Sequence, residues 1–282
     1  MSGRKCPKMA LKKWAANVRG ANVRPHLSGR KCPISSRPQM SGPQMSGPQM
    51  SGPQMSYNLT GTAGILTELP IPAGVQAIHV PPSNFLEQQL HTLFDDNENC
   101  AVDAIKIGAL GNAANVRAVS DALRRWKPTK NVVLDPVIVA TAGGHALLET
   151  EAMKLLLDEL LPICAVWTPN LPEAAKLLGT EQANDEAEML KQCHELGKFG
   201  AKAVLLKGGH LTNSDQSTDI LFQSDGSEEF FRAKRLNVNA KTAHGTGCRL
   251  SSAMAVYLAR GHTVTEAVQY AKSFVEQQIG YS

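Results

Sequence analysis

The chain has 282 residues, 43% of them hydrophobic and 19% charged, which suits one globular domain or two small ones. No apolar run approaches the roughly 18 residues that a membrane-spanning helix needs, so such a helix is excluded, and no membrane partner is expected. The net charge of +4 is uneven: residues 1–56 carry ten Lys or Arg and no Asp or Glu, and the rest carry 19 basic against 25 acidic side chains, a net of −6. On charge, no nucleic acid is expected as a partner of the folded body.

Six cysteines stand at 6, 32, 100, 164, 193 and 248, never closer than 26 residues, so no local zinc ribbon or C-x-x-C pair forms. Scattered thiols in a chain of this length favour a reducing compartment, and a cytoplasmic location is expected. Residues 1–56 repeat themselves: SGRKCP occurs from Ser2 and again from Ser28, and PQMSG recurs three times from Pro38 before a last PQMS ends at Ser56. Five-residue periods with Pro in every unit support neither a helix nor a strand ladder. This segment reads as a basic, low-complexity, disordered region, distinct from a domain over 57–282.

From about Asn58 apolar runs alternate with amphipathic stretches. The pattern predicts a strand over 101–107, a helix over 113–126, a buried strand over 131–134 and a helix over 149–161. It continues with a strand over 165–168, helices over 172–178 and 185–199, and a strand over 203–207. A hairpin over 220–223 and 229–233 follows, split by Ser224-Asp225-Gly226-Ser227, and helices from Thr246 and Thr263 close the chain. Strands alternating with helices imply an α/β layered domain with a mostly parallel sheet, whose ligands bind at the carboxyl ends of the strands.

Four motifs sit at those ends: Asp135-Pro136-Val137, Thr168-Pro169-Asn170 with Glu173, Lys207-Gly208-Gly209-His210, and His244-Gly245-Thr246-Gly247-Cys248. Taken singly, each has a plain structural reading as a strand end, a cap, a turn or a packed thiol. Together they suggest a shared site. Glycines and free N–H groups at a helix start cradle phosphate or an oxyanion, and the same field is expected to lower the thiol pKa of Cys248. Lys207 supplies a point charge to polyphosphate, and Asp135 and Glu173 are hard oxygen ligands suited to magnesium, directly or through water. The set points to phosphoryl transfer. Neither G-x-x-x-x-G-K-[ST] nor the protein-kinase motifs occur.

KIGAL at Lys106, DPV at Asp135, LPICAVWTPNLPEA from Leu161, LLKGGH from Leu205 and HGTGC at His244 closely resemble hydroxymethylpyrimidine and phosphomethylpyrimidine kinases of thiamin biosynthesis, in the ribokinase-like superfamily. The resemblance covers about residues 74–279. It implies a three-layer α/β/α sandwich and ATP- and Mg2+-dependent phosphorylation of a pyrimidine hydroxymethyl group and then of its monophosphate. It also implies that Gly245, Thr246 and Gly247 form an anion hole, with Cys248 in place of the superfamily's catalytic Asp as the base toward the substrate hydroxyl. Asp135 and Glu173 organise the metal, and Lys207, Thr168 and Asn170 serve the nucleotide. A homodimer is the superfamily's common state.

The chain departs from the family at its amino-terminal side. Nothing in residues 1–56 matches the family's AGxDxSGGAGxxAD segment, and Thr67 to Val75 resembles a shortened TALTAQNTxGV stretch without its Gln. Ala109 replaces the usual Met, and Arg249 stands where Thr is common. These departures predict a domain without the family's first strand. They leave open a pyridoxal kinase and an inert remnant that has lost its pyrimidine-binding segment.

Overall fold

The computed structural model describes residues 67–71, 74–95, 102–138, 148–211, 215–235 and 245–280. The repeat segment 1–56 and His244 lie outside the described residues. Strands β1 (Thr67–Ile71) and β2 (Gly74–His79) pair antiparallel as a two-stranded sheet of their own. Their register shifts between Glu68 and Pro70, where proline removes a ladder donor. Helix α1 (Ser83–Phe94) follows two prolines.

The main sheet takes its strands in sequence order: β3 (Ile105–Ile107), β4 (Val132–Leu134), β5 (Val166–Trp167), β6 (Ala203–Lys207), β7 (Gln216–Gln223) and β8 (Glu228–Lys234). The pairings from β3 to β6 are parallel, and β7 and β8 add antiparallel. Strands β4 and β6 are buried along their whole length, as expected for parallel strands covered on both faces. The β7–β8 turn closes at Gly226, whose φ of 88° is left-handed, with the Ser227 amide donating to Asp225 Oδ1 at 2.9 Å.

Helices α2 (Ala113–Trp126), α4 (Leu171–Leu178) and α5 (Glu186–Gly197) begin at side-chain caps from Asn112, Asn170 and Asp185. The helix expected over 149–161 is present but not uniform: α3 (Thr150–Leu155) runs into a π turn over Leu156–Leu160 and a 3-10 turn over Leu161–Ile163. Apolar periodicity does not report such a change of winding, and Pro162 ends it. Helices α6 (Thr246–Ala259) and α7 (Val264–Gly280) complete the chain. Among the described residues no helix is long and apolar enough to cross a membrane.

Alternation along the strands sorts the core into two faces. Leu134, Trp167, Val204 and Leu206 pack with residues of α1 to α5, whereas Val133, Val166, Leu205 and Leu221 pack with α6 and α7. The result is a three-layer α/β/α sandwich with a mostly parallel sheet, as the resemblance implies. The strand expected from Ala101 is shorter, starting at Ile105, with Ala101 itself outside the described residues.

Candidate active site

The same alternation that sends Val133, Val166 and Leu205 toward α6 and α7 places Asp135, Thr168 and Lys207, two residues further along in each case, on that face, Asp135 and Thr168 just past β4 and β5 and Lys207 as the last residue of β6. Backbone bonds fix the row: Asp135 N–H donates to Ile107 O at 2.9 Å, Thr168 N–H to Leu134 O at 2.8 Å, and Lys207 N–H to Pro169 O at 2.9 Å. The amino terminus of α6 completes the site. It is entered through Gly245, whose φ of 77° is accessible to glycine at little cost.

Asp135 is the hub. Only 2% exposed, its Oδ1 receives Lys207 Nζ at 2.9 Å, and its Oδ2 accepts from Ser251 Oγ at 3.1 Å and faces Lys106 Nζ at 3.6 Å. Burial opposes charge on this carboxyl, but Lys207 and Lys106 beside it, with hydrogen bonds from Lys207 and Cys248, outweigh burial and hold it below the usual value. Burial likewise pulls Lys207 down, and Asp135 and Glu173 raise it past its ordinary value. The pair therefore stays ionised around neutrality. Lys207 also lies against α6: a Cβ on Gly247 would sit 3.1 Å from its Nζ, so glycine there lets the ammonium approach the helix start.

Glu173 is 3% exposed and forms a capping box, its Oε2 accepting the Asn170 N–H at 2.8 Å while Asn170 Oδ1 accepts the Glu173 N–H at 2.9 Å. Burial pushes its carboxyl up, against the pull of Lys207. Thr168 is fully buried behind Asp135, its Oγ1 3.5 Å from Oδ1, and does not line the cleft. The other eight residues singled out in the sequence do line one cleft of about 320 Å³, with Asp135, Asn170, Glu173 and Lys207 facing Gly245 to Cys248.

The expected lowering of the Cys248 thiol is not what the structure shows. The residue opens onto the cleft, yet crowding by protein atoms pushes its thiol up, and the Asp135 charge and hydrogen bond add to that; Lys106 and Lys207 only moderate it. A helix start favours the thiolate, but burial first and the adjacent Asp135 carboxylate second outweigh it. His210, also in the cleft wall, is driven toward its neutral form by burial, then by Lys207 and Arg235.

Four residues of the site are given no role by the sequence reading: Lys106, Ser251, Asp219 and Lys272. Asp219 and Lys272 form a buried ion pair of 2.7 Å in the cleft wall, and Asp219 Oδ1 also accepts the Gly208 N–H at 2.9 Å. Lys106 carries a usable signal, a charge inside the Ile-Lys-Ile alternation of β3 that must share a face with something polar.

Among the described residues no three His, Cys, Asp or Glu gather as a metal cage. That donor set fits Mg2+ in its usual mode, held by one or two carboxylates together with waters and substrate phosphates. Asp135 and Glu173 are the residues that would hold it. Helix N–H groups, Lys207 and two carboxylates around one cleft suit a polyphosphate with a divalent cation.

Comparison with known proteins agrees with this chemistry. Residues 62–282 match the family described as phosphomethylpyrimidine kinase. A hydroxymethylpyrimidine/phosphomethylpyrimidine kinase of Rhizobium meliloti is 40% identical over 206 residues, covering 73% of this chain and 74% of that protein. A probable thiamine biosynthetic bifunctional enzyme of rice is 39% identical over 210 residues, covering 74% of this chain and only 37% of that protein. Among solved structures, a Clostridium difficile phosphomethylpyrimidine kinase superposes with a TM-score of 0.63 at 29% identity, covering 77% of this chain and 85% of that one. A Staphylococcus aureus pyridoxal kinase bound to pyridoxal superposes with a TM-score of 0.65 at 27% identity, covering 76% and 74%. With a match over most of its length and a fold of the same kind, the chain belongs to the phosphomethylpyrimidine kinase family.

Proposed function

We propose that this chain transfers the γ-phosphoryl group of ATP to the hydroxymethyl group of a hydroxymethylpyrimidine, and then to the monophosphate so formed, within its 57–282 region. The observation that carries the reading is the convergence of Asp135, Lys207 and Gly247-Cys248 at the mouth of α6. Lys207 and the α6 N–H groups would bind the donor's phosphates and stabilise the charge that grows on the transferring group. Asp135 holds the Lys207 ammonium in place, and Asn170 and Glu173 line the same cleft. Bound at the two carboxylates, Mg2+ would neutralise phosphate charge. Cys248 stands at the anion hole, where a thiolate would take the acceptor hydroxyl's proton as the new P–O bond forms and the β–γ bond breaks, releasing ADP.

The test is an ATP-consumption assay of the full chain with Mg2+, comparing hydroxymethylpyrimidine with pyridoxal. Turnover with the pyrimidine exceeding that with pyridoxal supports the reading. Preference for pyridoxal, in line with the pyridoxal kinase structures the fold resembles, would replace it.

A further inference from the structure

We propose that Lys106 is the cation that receives the phosphate of the monophosphorylated acceptor, and so determines how well the second transfer proceeds. The inference rests on the function proposed above. A kinase that acts twice on one molecule meets two different acceptors. The first is a neutral alcohol, and the second carries about −1.5 to −2 charges near neutrality. Of the cations lining the cleft, Lys207 and the start of α6 would serve the donor's own phosphates, Lys272 is paired with Asp219, and Lys234 and Arg235 stand at the end of β8, at the opposite edge of the sheet from β3; on the β3 side of Asp135 the charge within reach is Lys106.

The order of the sheet shows where it is. The charged face runs from Lys106, in the middle of β3 and level with Val133, past Asp135 after β4 and Thr168 after β5, to Lys207 at the end of β6, all on the α6 and α7 face. The two ammonium groups take opposite oxygens of one carboxylate. Lys207 binds Oδ1 at 2.9 Å on the side of the cleft, and Lys106 faces Oδ2 at 3.6 Å on the far side, outside the cleft wall.

The two contacts differ in kind. At 3.6 Å Lys106 is an ion-pair partner beyond ordinary hydrogen-bond reach, and its side chain is 21% exposed, against 11% for Lys207. Its donors are thus available to an incoming ligand. Gly108, two residues on, leaves room for the ammonium, since a Cβ there would lie 2.7 Å from Nζ. Lys106 faces the same Asp135 oxygen that Ser251 reaches from α6, three residues after Cys248, which sets its ammonium toward the start of that helix. Lysine binds phosphate as a point charge and tolerates the small shift between a leaving Asp135 contact and an arriving phosphate.

The test uses the full chain and the variants Lys106→Met and Lys106→Arg, with equilibrium binding of hydroxymethylpyrimidine and of its monophosphate measured by calorimetry beside both transfer rates. Lys106→Met is expected to weaken monophosphate binding and lower the second transfer by about tenfold or more relative to the effect on the alcohol, and Lys106→Arg to restore most of it. Equal losses for both acceptors, or none, would overturn the proposal while leaving the function intact. Should Lys106→Met not fold, the wild-type chain decides: tighter binding of the monophosphate than of the alcohol, weakening with salt, supports a cation, and equal salt-independent affinities contradict it. A wild-type chain that turns over neither acceptor removes the function and this proposal together.

Discussion

Cys248 shows how a residue's neighbours reset its chemistry. A thiol at a helix start is expected to be acidic, but burial and the adjacent Asp135 raise it, so the thiolate is scarce at neutral pH and grows with alkalinity. The first transfer, which must remove a hydroxyl proton, is therefore expected to accelerate with pH through the neutral range and level off only above the ordinary thiol value. A plateau well below that value would exclude Cys248 as the base. Cys248→Ser is expected to slow the first transfer by about a hundredfold or more while slowing the second less, because a phosphate acceptor is already largely deprotonated near neutrality. Full turnover in that variant with unchanged nucleotide binding would remove the cysteine from the mechanism.

Asp135 invites a stability measurement. Its folded carboxyl sits below the usual value, so the stability it contributes is present at neutral pH and is lost as pH falls through the folded value. Lys207 is raised, so its share persists until pH climbs through that raised value. Asp135→Asn strands buried Lys207 and is expected to cost about 3 kcal/mol or more at pH 7 by denaturant unfolding, with the deficit shrinking toward acid pH. A deficit that does not vary with pH would show that the loss is one of packing.

At the scale of elements, the clearest predictions came where local signals are complete. Helix α2 runs over Ala113–Trp126 as the periodicity predicts, because Asn112 caps its start and Lys127, at φ 44°, turns the chain out of it. Strand β6 matches for a similar reason, an apolar run ended by Lys-Gly-Gly. The β1–β2 hairpin is not among the predicted elements, because Pro70 breaks the alternation that would mark a strand. Helix α1 was missed because Pro82 precedes it with no side-chain cap, and its first turn carries no acid. The site divides along the same line. Its four motifs are contiguous and legible, whereas Lys106, Ser251, Asp219 and Lys272 lie inside elements and join the site only through register and helix packing.

One turn couples element to site. Gly208 follows Lys207 and passes so close to β7 that a Cβ would overlap the Thr218 carbonyl oxygen. Gly208→Ala is therefore expected to destabilise the chain by about 1–3 kcal/mol and to weaken nucleotide binding, since displacing the turn moves Lys207. Unchanged thermal stability and nucleotide affinity in that variant would show that the turn is not constrained as described.

For the whole molecule, the unevenness of charge noted first acquires a structural counterpart. The family match begins at residue 62, and the sheet and cleft described here belong to the acidic part of the chain. Within it the sheet separates two tasks: one face packs α1 to α5 into a continuous apolar core, and the other joins a smaller core to the row of charges that meets α6. Phosphoryl transfer depends on positioning and charge neutralisation, which such a row supplies. The most direct check is product analysis of the full chain incubated with ATP, Mg2+ and hydroxymethylpyrimidine, using phosphorus NMR to follow the acceptor. The pyrimidine monophosphate is expected to appear first and the diphosphate after it, each with one equivalent of ADP. ADP formation with no phosphorylated pyrimidine, or no consumption of ATP, would contradict it.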